Sequence, residues 1–464
     1  MIGNNCNSSG LKREIGLSSA TILVIANMIG IGIFTTSGFV MKELRDPQAM
    51  LLCWFVGGIF ALCGALCYSE LGAMFPKAGG EYIFLRESLG NLMGFLSGWI
   101  SLIVGFSAPI AAASIAFASY FFRAVPANII IDPFMPFLNF GILCVSPITF
   151  LACTVIIIFS SAHCYSLHFG CSIQNMLTVF KVMVMIAFII AGCSIGNGSV
   201  DHFKSGGTLG IVFSKHFSVS LILVSFAYCG WNASVYIGSE IKNPSRNIPL
   251  SLLLGTFSVS GLYLLMNILF IYALPIDEMS GVLEIGTNSA AALFGNQMAR
   301  VFSLAIVLCL LSVISAMIMI GPRVYYAMAK DRVFFKCFSR VTRKQRTPAY
   351  SICLQATIAM CMAVTASYEK LLLYIGFTLS VFTTLTVIGL MLLRIRKPLS
   401  ERPYKTFGYP LTPSLFIAGN LWIIFFCIKG TPSTTFYGLV TILAGVLFYL
   451  YFLFKNKNNK KAAS

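Results

Sequence analysis

Met28-Ile29-Gly30-Ile31-Gly32-Ile33-Phe34 and Phe226-Ala227-Tyr228-Cys229-Gly230-Trp231-Asn232 each lie in the middle of a long apolar run. Glycine weakens a helix interior by about 1 kcal/mol relative to alanine, so a plain membrane anchor has no use for Gly30, Gly32 and Gly230. Either stretch alone has an ordinary explanation, because small residues let helices pack closely in lipid. Together they carry more, since they fall in the first and the sixth apolar run. A separation of five is the spacing of two inverted five-helix units whose discontinuous helices meet near the bilayer midplane. No identity between the two halves is evident by eye, so the repeat rests on the positions of the breaks.

The surrounding sequence requires a bilayer. Of 464 residues 58% are hydrophobic and only 10% charged, whereas a soluble domain carries about 25% charged residues. A crossing helix needs roughly 20 mostly apolar residues. The chain offers such runs at 17–40, 49–75, 91–122, 146–166, 169–192, 217–240, 249–273, 297–321, 349–366, 371–393, 412–428 and 434–454. The ninth and eleventh are the shortest. Closed barrels would need short alternating strands instead. The expectation is an all-α polytopic protein of about 12 transmembrane helices, forming one membrane domain over 1–464. Its parts are an N-terminal segment 1–16, a first repeat 17–192, a second repeat 217–396, two extra helices in 412–454 and a tail 455–464.

Charge sets the orientation. The net charge of +17 could suggest nucleic acid, but its distribution fits basic cytoplasmic loops better. Of the 32 Lys and Arg, 23 fall on the side of the N-terminus, 8 on the other, and Lys181 lies inside a run. Both termini are therefore expected in the cytoplasm, with the protein in the cell membrane. There is no cleavable signal pattern. Most of the 15 cysteines sit inside apolar runs, where a thiol acts as a small hydrophobe. No metal-ligand spacing or phosphate-binding loop occurs, so no metal, cofactor or ATP drive is expected.

An unwound turn frees N–H groups at the start of one half-helix and C=O groups at the end of the other. The first suit a carboxylate and the second an ammonium group. A pocket holding both ends reads a zwitterion, which points to an α-amino acid.

The chain resembles the amino acid–polyamine–organocation superfamily, near its bacterial amino acid permeases and the L-type transporter branch, over nearly its whole length. The resemblance rests on Ile29-Gly30-Ile31-Gly32-Ile33-Phe34; on Tyr68-Ser69-Glu70-Leu71-Gly72, Pro76 and Gly79-Gly80-Glu81-Tyr82; and on the sixth run leading into Glu240-Ile241-Lys242-Asn243-Pro244. Gly321-Pro322-Arg323, Ala327-Met328-Ala329-Lys330-Asp331 and Arg402-Pro403-Tyr404 resemble later signatures. It implies a LeuT-type 5+5 inverted repeat plus two helices, and secondary transport of amino acids by alternating access. By the same resemblance, the amides of Ile31 and Gly32 take the carboxylate, and the carbonyls of Met28, Phe226 and Cys229 take the amine. Phe226 packs over the substrate as a gate. Ile29, Gly30, Ala227, Gly230 and Trp231 complete the expected site. Ile31 and Cys229 stand where relatives often carry smaller residues.

Lys181 lies about 18 Å from one end of its helix and about 14 Å from the other, at ~1.5 Å per residue. That is beyond the ~6 Å a lysine can snorkel, and an intramembrane charge marks a functional site by default. Its expected place is between the fifth run and the broken first run, where sodium-coupled relatives hold sodium. It either trades a proton or serves as a fixed charge. Glu70 and Glu240 are the acids nearest bilayer depth, expected to latch onto basic loop residues, with Glu240 as a gate. No acid is expected in the central pocket, which favours neutral amino acids over cationic ones or polyamines. Trp231 and Asn232 line the cavity or merely pack. Ser107 more naturally bonds its own helix backbone. The outer loop around 124–140 shows no clear cysteine for an accessory subunit, so the chain is expected to work without an obligatory partner. An exchanger and a proton symporter both remain open, as does a sensor on a transporter fold; an enzyme motif is absent.

Overall fold

The computed structural model describes residues 13–124, 138–139, 144–165, 167–204, 210, 214–342, 347–365, 368–430 and 432–461. The loop at 124–140 invoked for a subunit contact lies almost wholly outside them. Ten helices among the described residues are long and apolar enough to cross a membrane. Two shorter apolar helices, Lys215–Ala227 and Ala349–Thr365, occupy the sixth and ninth expected positions. The eleventh helix, expected to be short, runs over the 20 residues Leu411–Gly430. The last helix, Pro432–Lys461, continues through most of the segment expected to be a tail. A two-residue ladder pairs Leu138–Asn139 with Cys144–Val145.

Both interruptions are present. The first helix stops at Met28, and a new one starts at Gly32 and runs to Leu44. The sixth stops at Ala227, and only the four-residue turn Ala233–Tyr236 follows before Pro244–Ala273. The outer half of the first helix packs on Lys215–Ala227, the second helix Pro47–Met74 on the seventh, and the third on the eighth.

The links between these helices also correspond. A nine-residue helix, Glu81–Leu89, joins the second and third helices, and a ten-residue helix, Ile285–Phe294, joins the seventh and eighth. Each ends on a glycine that opens the next helix with the same motif, Gly90-Asn91-Leu92-Met93 and Gly295-Asn296-Gln297-Met298. The two glycines share one backbone conformation, φ 100° and ψ 177° against φ 84° and ψ 171°. Their positive φ is cheap only for glycine.

The acids near bilayer depth are paired on the face that carries the N-terminus. Glu70 is fully buried, accepts from Arg394 Nη2 at 2.5 Å and Thr406 N at 2.7 Å, and forms an ion pair with Arg402, whose Nε lies 3.3 Å away. Glu240 accepts from Arg323 Nε at 2.9 Å, and its carbonyl receives the amides of Glu14 and Ile15. These pairs tie the second, eighth and tenth helices to the loops at that face.

Candidate functional site

The two breaks touch through their backbones. A Cβ on Gly32 would lie 2.4 Å from Ala227 Cα, and one on Gly230 would lie 2.7 Å from the Asn27 carbonyl oxygen. Gly230 also adopts φ 102°. Glycine at these two positions therefore allows the crossing of the discontinuous helices.

The crossing bounds a cavity. Of the residues expected at the site, Met28, Gly30, Ile31, Gly32, Phe226, Ala227, Cys229, Gly230 and Trp231 line it. Asn232 lines it as well. Ile29 does not: it is fully buried, and its carbonyl turns away to Lys181. The far wall was not foreseen. It comes from Ser101, Gly105, Phe106 and Pro109 of the third helix, with Val313, Met317, Leu379 and Thr383 of the eighth and tenth. The third helix widens to a π-helix over Ser101–Ser107, a form that concentrates at functional sites. Ser107 itself bonds backward to the Leu102 carbonyl at 2.6 Å.

The free ends of the peptide chain can be assigned one at a time. The first amides of any helix lack intrahelical acceptors, and Gly32 opens the outer half-helix on the cavity wall. On the acceptor side, the Met28 carbonyl already receives Gly30 N at 2.7 Å and Tyr263 Oη at 2.6 Å. Both of its lone pairs are engaged, which leaves little capacity for the ammonium group assigned to it. Phe226 O receives Cys229 N at 2.9 Å. Tyr263 also donates to Ala227 O at 3.2 Å, so one hydroxyl joins the two broken helices. Replacing Tyr263 by phenylalanine should cost roughly 1–3 kcal/mol through these two bonds. A lowered melting temperature in detergent, together with weaker ligand binding, is the expected result.

Lys181 is fully buried behind the cavity, not in its lining. Its Nζ donates to Ala26 O at 2.9 Å and Ile29 O at 2.5 Å, the carbonyls left over where the first helix ends. The ammonium thus holds the fifth helix to the unwound turn.

One expectation fails. The central pocket does contain an acid: Glu81, 3% exposed, sits on its wall. Its Oε1 accepts from Tyr68 Oη at 2.8 Å and Asn232 Nδ2 at 2.9 Å. No ion pair reaches it among the described residues. Burial pushes its carboxyl up to about 7, against the pull of the donors Tyr68, Asn232 and Tyr236. Sequence reading placed Glu81 in a loop after the second helix, and only the folding of that loop under the sixth helix brings it to the cavity.

Comparison with known proteins agrees with this architecture. A sequence profile described as amino acid permease matches residues 15–454. The b(0,+)-type amino acid transporter 1 of Mus musculus is 28% identical, over 96% of this chain and 89% of its own length. The serine/threonine exchanger SteT of Bacillus subtilis is 29% identical, over 90% of this chain and 91% of its own. The large neutral amino acids transporter small subunit 2 of Mus musculus is 27% identical, over 95% and 81%. A profile that covers nearly the whole chain, on a multi-pass helical protein with two broken helices meeting at a cavity, places this protein in the amino acid permease family.

Proposed function

We propose that this permease moves neutral L-amino acids across the cell membrane by alternating access, without sodium, as an exchanger or a proton symporter. The observation that carries the reading is the backbone contact of two interrupted helices at one cavity. The amides at the start of Gly32–Leu44 receive the carboxylate, and the carbonyls of Phe226 and Cys229 receive the amine. Phe226 and Trp231 supply the apolar wall for the side chain.

The remaining parts follow from this arrangement. The matching links, the paired glycines and the packing of helices five apart support two inverted five-helix repeats, followed by two further helices. On that reading Lys215–Tyr236 and Ala349–Thr365 also cross, giving twelve spans with both termini in the cytoplasm. The Glu70 and Glu240 ion pairs then close the cytoplasmic side. Lys181 holds the unwound turn in place. The names of two relatives, a serine/threonine exchanger and a large neutral amino acids transporter, support neutral substrates and exchange. Another name includes the words small subunit, yet we assign this chain a function of its own without an obligatory protein partner.

The test uses the purified chain alone in liposomes, loaded or empty, in sodium-free buffer. Radiolabelled leucine, alanine, serine and arginine are offered with and without a pH gradient. Uptake of the neutral amino acids, raised by internal loading or by an inward proton gradient, supports the proposal. Arginine uptake exceeding all three neutral amino acids would overturn the assignment of substrate class, and binding without flux would favour a sensor.

A further inference from the structure

Glu81 is a buried carboxylate on the cavity wall that joins no ion pair among the described residues. From the second helix it faces Tyr68, whose hydroxyl donates to it at 2.8 Å. From the sixth it faces Cys229, Asn232 and Tyr236. On its own helix, Tyr82 and Arg86 turn away to Asp331, Tyr82 at 2.6 Å. Of the arginines on the packed tenth helix, Arg394 is bound to Glu70 and Arg396 to the Ser88 carbonyl. Among the described residues, an anion at this place is thus met by neutral hydroxyl and amide donors. That environment disfavours charge and favours taking up a proton.

We propose that Glu81 is the proton-binding site of this transporter, loaded when an amino acid occupies the neighbouring cavity. The proposal deepens the transport reading and rests on it. The step transfers one proton from hydronium or a buffer acid in bulk solution to a carboxylate oxygen: the donor's bond to that proton breaks, leaving water or the conjugate base, and one carboxyl O–H bond forms. Substrate drives it because filling the cavity removes water from the carboxylate, and desolvation raises the affinity of an acid for its proton. The ordinary value already displaced to about 7 puts the transition within reach of physiological pH. Protonation also has a structural consequence. The neutral group is a poorer acceptor than the anion, so the tie to Asn232 loosens. Asn232 begins the short turn Ala233–Tyr236 of the sixth helix, and the link to Glu81 holds that turn to the start of the connecting helix Glu81–Leu89.

The test measures protons directly. Purified protein in detergent is first screened by thermal shift against leucine, alanine, serine and arginine. The amino acid giving the largest shift is then added at about pH 7.5 in weak buffer containing a pH indicator. Wild type should take up a measurable fraction of a proton per protein, and Glu81→Gln less than about a tenth of that, while the same amino acid still raises its melting temperature. Equal uptake by the two proteins overturns the proposal, as does a wild type that binds substrate with no proton uptake between about pH 6.5 and 7.5. Asn232→Leu gives an independent reading should Glu81→Gln misfold: loss of one donor moves the midpoint of uptake to higher pH, and an unmoved midpoint overturns the proposal. If no amino acid shifts the melting temperature of wild type, the transport reading falls and takes this one with it.

Discussion

Uptake by Lys181→Ala is expected to fall to background, with the protein still in the membrane. The ammonium is fully buried and donates to the carbonyls of Ala26 and Ile29 where the first helix ends. Alanine leaves both carbonyls without that donor. Each orphaned buried group costs roughly 1–3 kcal/mol, and the emptied volume adds a cavity term. The turn that presents Gly30, Ile31 and Gly32 to the cavity would then lose its fixed position. Rate constants for a positioned ligand fall tenfold for about every 1.4 kcal/mol, so a loss of several kcal/mol removes measurable transport. Lys181→Met separates the two contributions, because it fills the volume and restores no donor. It should melt at a higher temperature than Lys181→Ala and transport no better. Full gradient-driven uptake by either variant would show that the charge neither positions the turn nor couples transport.

The second large effect is expected at Gly32. An alanine there places its Cβ 2.4 Å from Ala227 Cα and 2.5 Å from Ala227 Cβ, so main chain must move. Overpacking a closed interior typically costs about 1–3 kcal/mol, and more where no flexible side chain can yield. The displaced atoms belong to the end of Lys215–Ala227, beside the proposed amine acceptors. Gly32→Ala should reduce substrate affinity by at least about tenfold, measured by thermal shift with the amino acid that binds wild type. Gly261 gives a control on the same scale, since a Cβ there meets nothing within 4 Å. Equal binding by Gly32→Ala and Gly261→Ala would show that the close crossing is not part of the site.

The helices and their breaks were legible because each has a local cause. Hydropathy over twenty residues marks a span, and glycine inside such a run marks where it yields. The position of Lys181 could be read from helical rise alone. Other features depend on contacts between distant segments. Glu81 lies in a short polar stretch whose sequence looks like any interfacial loop, and its place on the cavity wall arises because that stretch opens the helix Glu81–Leu89 beside Asn232. The assignment of Met28 as an amine acceptor could not anticipate Tyr263, 235 residues away, whose hydroxyl takes its carbonyl. Ile29 faces Lys181 instead of the cavity because the unwound turn rotates its carbonyl outward. The π-helical stretch Ser101–Ser107 leaves little trace in the sequence beyond Gly105. The motif shared by Gly90-Asn91 and Gly295-Asn296 was present in the sequence, but two residues gain meaning only once both are placed between corresponding helices.

The central claim is that peptide groups of two broken helices read both charges of an amino acid. Competition measures this most directly. Liposomes containing the purified protein are preloaded with a transported amino acid, and exchange of the radiolabelled compound is challenged by its methyl ester and by its N-acetyl form. Neither should compete within about tenfold of the parent, because each lacks one of the two charges. Competition by both at the concentration of the parent would contradict the account.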